Sequence, residues 1–373
     1  MRIAVVIWGV ALALLAAGCG SSDDTAAPGG ESPGARAAQG PQPPATGPAE
    51  TDAAGEAADA LERLENDPGG LAFGWSTDFS KHTVPFSEIQ SGGPGKDGIP
   101  AIDAPKFVTT QEANAWLERR EPVIELVIED DARAYPLQIL IWHEIANDEV
   151  GGVPVALTFC PLCHTTIVFD RRLDGRVLDF GVSGNLRNSD LVMYDRQTES
   201  WWQQFAGEAI VGELTWRRLA LLSSRLESWA EFRARAPMGK VLVPNDPGAR
   251  DYGVNPYAGY DSRTRPYDFY DGPLPEEVAP LSRVVSLADR REAWSLDLLR
   301  ARREIRAADG TLIRWEPGQS SALDAALIVD GTDVGSVTAT RNGQDVPYFV
   351  DFAFAFRAFQ PNAPIHHLPD EPQ

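Results

Sequence analysis

The hydrophobic pattern changes character several times along this chain. Residues 3–17 are apolar without a break, and residues 20–58 carry almost no large apolar side chain. From about residue 120 onward, short apolar runs alternate with charged or glycine-bearing turns, a pattern of strands rather than long helices. VIELVI (123–128) and ARAYP (132–136) read as strands around a turn at Asp130-Asp131. The apolar stretch LQILIW then leads to His143-Glu144 and the turn-rich NDEVGGVP. VALTF (155–159) predicts a strand that runs directly into Cys160-Pro161-Leu162-Cys163. Two β-rich runs around Asp174-Gly175 predict a hairpin, because Asp-Gly suits the positive φ of a two-residue turn. LVMYD (191–195) and WWQQF (201–205) predict two more strands, and the Trp201-Trp202 pair reads as core. LESWAEFRARAP (226–237) predicts a helix ended by Pro237, and VLV (241–243) a further strand.

Residues 245–280 are rich in Pro, Gly, Tyr and Asp, and their aromatics mark an ordered loop rather than a linker. The last third then repeats the pattern of the first. RVVSLADRREAWSLDLL (283–299) parallels VIELVIEDDARAYPLQIL (123–140), each an apolar strand, a charged turn and Ala-aromatic-x-Leu-x-x-Leu. RREIRAADGTLIRW parallels WHEIANDEVGGVPVALTF, but the second copy has no counterpart of the Cys pair. The expected fold class is therefore α+β: a strand-rich single body with a degenerate internal duplication. The globular part is expected over 67–373. Its first half (100–245) holds the Cys pair, a long loop follows at 246–280, and the second half is 281–362.

The N-terminus carries its own message. Arg2 precedes the apolar run 3–17, which is shorter than the roughly 20 residues a bilayer span needs. A basic start, a short apolar stretch and small residues at its end describe a secretory signal. Ala16, Ala17 and Gly18 directly before Cys19 resemble the lipobox of bacterial lipoproteins, so a signal peptide over 1–18 and a lipid anchor at Cys19 are expected. Residues 19–66 are expected to be a disordered tether, since their composition buries too little apolar surface to offset ordering entropy. These features place the expected location outside the cytoplasm, on the periplasmic or cell-surface side of a bacterial membrane, held by acyl chains.

Charge and missing motifs narrow the function classes. A net charge of −21 argues against nucleic acid as a partner, because binding phosphates requires a basic face. It gives no support to adhesion on anionic headgroups, and serves to keep an exported protein soluble. No GxSxG elbow, P-loop or HExxH occurs, so the sequence names no enzyme class and no protein or small-molecule partner.

The strings ARAYPLQIL, WHEIANDEVGGVPVALTFCPLC, FGVSGNLRNSDLVMYDRQTESWW and GEAIVG, in that order, are identified with a known family. The chain resembles the exported proteins grouped as domain of unknown function 3179, over roughly residues 100–360. That resemblance implies no activity. It does imply one departure: the family usually carries a small residue after its CPxC, whereas this chain has His164.

With Cys19 acylated, the mature chain keeps only Cys160 and Cys163. Four readings of this pair stay open. It can be a structural disulfide, although so short a loop gains little from cross-linking. It can be a redox pair, although the β-branched run after it opposes the helix N-terminus that lowers a thiol pKa. It can be a metal knuckle completed by His143, His164 or Met193, with zinc favoured by imidazole and copper by the thioether. Finally, Cys160-Pro161-Leu162-Cys163-His164 matches the haem c attachment pattern, for which Met193 or Met238 offers a second axial ligand. Ser183, Asn188, Asp190 and Asp195 cluster downstream, where such side chains ordinarily bond backbone. His366-His367 near the C-terminus reads as a frayed polar end.

Overall fold

Strands dominate the described residues, joined there by helices that never exceed two turns. A computed structural model describes residues 65–369. The expected signal peptide, Cys19 and nearly all of the expected tether lie outside the described residues. In chain order, β1 (Ile89–Ser91), β2 (Lys106–Thr109) and α1 (Thr110–Ala113) come first. The hairpin β3 (Pro122–Ile128) and β4 (Asp131–Pro136) runs into α2 (Leu137–His143), β5 (Ile145–Val150), β6 (Val153–Cys160) and β7 (Thr165–Asp170). A small hairpin, β8 (Arg172–Leu173) and β9 (Arg176–Val177), leads to β10 (Phe180–Arg187), β11 (Asp190–Asp195), β12 (Trp201–Gln203) and β13 (Glu208–Val211). β14 (Ala220–Leu222), β15 (Arg225–Ser228), α3 (Trp229–Arg235) and β16 (Lys240–Val243) follow. After a long loop come β17 (Arg283–Leu287), β18 (Ala293–Ser295), α4 (Leu296–Arg302), β19 (Glu304–Arg306), β20 (Leu312–Glu316), β21 (Ser336–Arg341), β22 (Gln344–Asp345), β23 (Tyr348–Phe352), α5 (Ala353–Phe359) and β24 (Ile365–His366).

Five sheets of four or five strands form a propeller-like ring, and at 15% helix against 37% strand the fold is mostly β with some helices. The helical part of the expected α+β class thus shrinks to corner pieces. A seven-residue helix is too short to be stable alone, so each is held by the strands it joins. The helix expected over 226–237 illustrates this. Its first residues pair with β3 as strand β15, and helix begins only at Trp229, after a capping box of Ser228 and Glu231. Asp174 and Gly175 do turn the β8–β9 hairpin, both at positive φ. The loop between β16 and β17 is ordered by its aromatics, with Tyr260 and Tyr270 buried in the main core.

The two halves share one wiring. In the first, β15, β3, β4 and β16 lie side by side, β15 and β4 antiparallel to β3 and β16 parallel to β4. In the second, β23, β17, β18 and β24 repeat that order and those directions. The neighbouring sheets also match, as β5-β6-β7-β14 against β19-β20-β21-β22. Register agrees as well: α2 and α4 each span seven residues and end on a residue at positive φ, Glu144 and Arg303. The carbonyls of those residues accept from Phe159 and Trp315, respectively, on β6 and β20. What the second half lacks is the sheet of β10–β13, which in the first half interrupts the path from β7 to β14.

Candidate functional site

The Cys pair sits where the hydrophobic pattern puts it, in a tight turn between two strands. Cys160 ends β6 and pairs with Thr165, the first residue of β7, leaving 161–164 to make the turn. Pro161 gives up an amide there, and His164 takes positive φ (57°), which closes the reversal. Both cysteines are buried and free, so they form no disulfide in this structure. Their sulfurs share the Ser189 carbonyl, at 3.8 Å from Cys160 Sγ and 3.3 Å from Cys163 Sγ.

A second hairpin completes the group. Asn188 and Ser189 turn β10 into β11, both at positive φ, and the next residue, Asp190, points its carboxyl at the thiols. Donor atoms of Cys160, Cys163 and Asp190 all lie within 4.8 Å of one another, so the three can hold a metal ion. Asp190 is wholly buried; one oxygen accepts from Gln203 Nε2 (2.5 Å) and the Phe205 amide (2.9 Å). Its other oxygen has no hydrogen-bond partner among the described residues. Burial without full compensation pushes the Asp190 carboxyl up to about 7. The same desolvation raises both thiols, Cys163 well above its usual value.

More charge is packed around this group. Glu144, the residue after α2, is buried, and burial plus the charge of Asp190 push its carboxyl up to about 8. Its position is set by the backbone: its carbonyl accepts from the Phe159 amide, one residue before Cys160. From the second half, the Phe352 amide donates to the Cys163 carbonyl (2.8 Å), and Asp351 accepts from Thr165 Oγ1 (2.8 Å) and from Arg290. The Arg290 guanidinium is clamped between the rings of Phe205 and Phe349, 3.5 and 3.9 Å from their centroids. Tyr260 closes the turn by donating to the Leu162 carbonyl (2.9 Å).

The remaining expected ligands lie elsewhere or are already engaged. His143 is not in the group: Nδ1 bonds the Pro100 carbonyl (2.7 Å) and Nε2 the Tyr252 hydroxyl (2.8 Å). The WHEI motif does carry a residue of the site, but it is Glu144. His164 is buried with Nδ1 donating to the Val350 carbonyl (3.1 Å) and Nε2 accepting from Arg283 Nε (3.2 Å). Burial holds it down to about 3, so it is neutral. Neither nitrogen is free for a metal or for haem iron. Met193 is buried in the main apolar core on β11, between Val182 and Trp202, and Met238 is 93% exposed. Among the other candidates, Ser183 and Asp195 bond locally as expected, Ser183 to the Val192 carbonyl and Asp195 to the Thr198 amide. His366 pairs with Glu292. In the sequence Asp190 is visible only as a turn residue; Glu144, Asp351 and Arg290 carry no spacing signal at all.

Beside the turn lies a cavity of about 270 Å³, walled by Leu162, Leu191, Tyr257, Tyr267 and Phe269, with Glu144 and Asn185 as polar groups. Gly184 borders it too, at positive φ; a Cβ there would strike the Pro94 carbonyl, so the bulge in β10 depends on glycine. No curated protein and no solved structure matches this chain. A family model described as protein of unknown function (DUF3179) matches residues 96–363, and the chain belongs to that family.

Proposed function

We propose that this protein is an extracytoplasmic, membrane-tethered metal-binding protein whose centre is Cys160, Cys163 and Asp190. One observation carries the reading: two buried thiols and a buried carboxyl with an unpartnered oxygen bring their donor atoms within 4.8 Å of one another. Zinc–sulfur bonds of about 2.3 Å at a tetrahedral angle put two sulfurs about 3.8 Å apart, so little movement is required. Two thiolates with a carboxylate suit zinc better than copper(I), which prefers thiolate and thioether donors without a hard oxygen. Three protein ligands leave one coordination position open, as in catalytic rather than structural zinc sites. Thiols raised by burial are poor nucleophiles, which weighs against a thiol-exchange role.

The test is metal content. Protein purified from an exporting host should carry close to one zinc per chain, and the Cys160→Ser/Cys163→Ser variant almost none. Cobalt substitution should give a thiolate charge-transfer band that the variant lacks. Equal metal content in both proteins would end the reading.

The tether is supported by the sequence alone: the apolar run 3–17, the small residues before Cys19 and the composition of 20–58. Cys19→Ser should move the protein from the membrane to the soluble fraction without changing its melting temperature. The shared wiring and register of the halves support descent from a doubled unit, one copy of which kept the site.

A further inference from the structure

The cavity beside the Cys turn has a chemistry of its own. At about 270 Å³ it is just below the usual ligand-pocket range of roughly 300–1,000 Å³, which limits it to a small molecule. Glu144 lines it and is only 8% exposed, and its carboxyl receives no hydrogen bond from the described residues. An ionisable group more than nine-tenths buried therefore faces the space without a partner, a costly arrangement unless something fills it.

The walls say what fits. None of the lining residues is Lys, Arg or His, so an anion would be desolvated against a carboxyl with nothing to offset it. Tyr257 and Phe269 supply aromatic surface. Tyr267 is a rigid wall, stacked on Tyr260 at 4.4 Å on one side and carrying the Arg263 guanidinium at 4.7 Å. The ionisable groups packed around the turn are mostly ones that become negative on losing a proton: Cys160, Cys163, Asp190, Asp351 and Glu144 against Arg290, while Arg283 is paired with Asp261. A divalent metal at the first three still leaves a negative surplus once all of them ionise.

We propose that this cavity binds a small organic cation bearing an alkylated ammonium group, with Glu144 as counter-ion and the rings of Tyr257 and Phe269 as walls. Ring faces attract ammonium groups within about 6 Å of the centroid, most strongly in a desolvated site. A bound cation would favour the charged form of Glu144, because its positive charge offsets the desolvation that opposes ionisation. The inference rests on the cavity and not on the metal, so the two fail separately.

Calorimetric titration compares choline with its neutral isostere 3,3-dimethylbutan-1-ol. Both titrations use the zinc-loaded and the chelator-treated protein. Choline should bind at least about tenfold more tightly than the isostere, the difference a desolvated carboxylate and ring faces make to a cation. Glu144→Gln should weaken choline by about tenfold or more. Phe269→Leu, a milder change, should weaken choline several-fold and leave the isostere almost unaffected. Equal binding of both ligands to the wild-type protein, or no binding of choline, overturns the proposal. Loss of zinc binding with choline binding intact removes the metal reading and leaves this one standing.

Discussion

The halves of this molecule are wired alike and behave differently. β6 and β7 are joined by the four residues 161–164, which hold one cysteine and follow the other; β20 and β21 are joined by the long excursion 317–335. Where the first half has Cys160 at the end of its strand, the second has Glu316; where it has Glu144 after the helix, the second has Arg303. The sheet that delivers Asp190 exists only in the first half. The second half contributes in another way, by sending Asp351, Arg290 and the Phe352 amide onto the Cys turn. The comparison teaches that the scaffold alone makes no site. A short turn, an inserted hairpin and a clamp from the other half make it together.

That division of labour can be broken from the second half. Arg290→Met should destabilise the protein by about 3–5 kcal/mol, the cost of stranding the buried Asp351 charge. The first-half hairpin turn offers a control: Glu129, at the β3–β4 turn, is exposed, and Glu129→Gln should change stability by less than about 0.5 kcal/mol. Urea unfolding of both variants checks this. Similar small losses in both would mean that the second half is not clamping the turn.

Equivalent positions before β3 and β17 sharpen the comparison further. The carbonyls of Glu121 and Ser282 accept from the first amides of α3 and α5, Trp229 and Ala353, at 2.8 Å in both halves. Only Glu121 is ionisable, and burial pushes its carboxyl up from 4.5 to about 7. A carboxyl whose folded-state pKa is raised keeps its proton when the unfolded chain has lost it. Stability therefore falls as pH rises from about 4.5 to 7, and the loss is complete above that window. Glu121→Gln keeps an acceptor oxygen and removes this slope, on the order of 1–3 kcal/mol across the window. Melting curves at pH 4.5 and pH 8 should lie closer together in the variant; an unchanged separation would contradict the assignment.

Apart from the Glu129 control, the smallest effect is expected at His143. His143→Ala removes hydrogen bonds to Pro100 and Tyr252 and should lower stability by about 1 kcal/mol, with zinc content unchanged. A drop in zinc would return this histidine to the ligand set.

Several features are legible in the amino-acid sequence. Strand segments at 123–128, 132–136 and 155–159, the Asp174-Gly175 hairpin and the placement of Cys160 and Cys163 in a turn all follow from local patterns that the fold keeps. The parallel between 123–159 and 283–316 is readable because strand, turn and helix lengths are local properties. The helix expected at 226–237 starts late because pairing with β3 overrides the helix preference of 226–228.

Local sequence determined which segments extend, where they reverse, and that two thiols share a turn, since φ preferences and side-chain periodicity act over a few residues. Which groups meet those thiols was decided by tertiary structure alone. Asp190 arrives through a hairpin whose Ser189 lies 26 residues beyond Cys163, and Asp351 comes from a strand in the other half. Glu144, rather than its neighbour His143, is fixed beside Cys160 by one backbone hydrogen bond. Contacts across such separations depend on how sheets pack around a shared core. Their energy comes from burial and charge, which no short stretch of sequence contains.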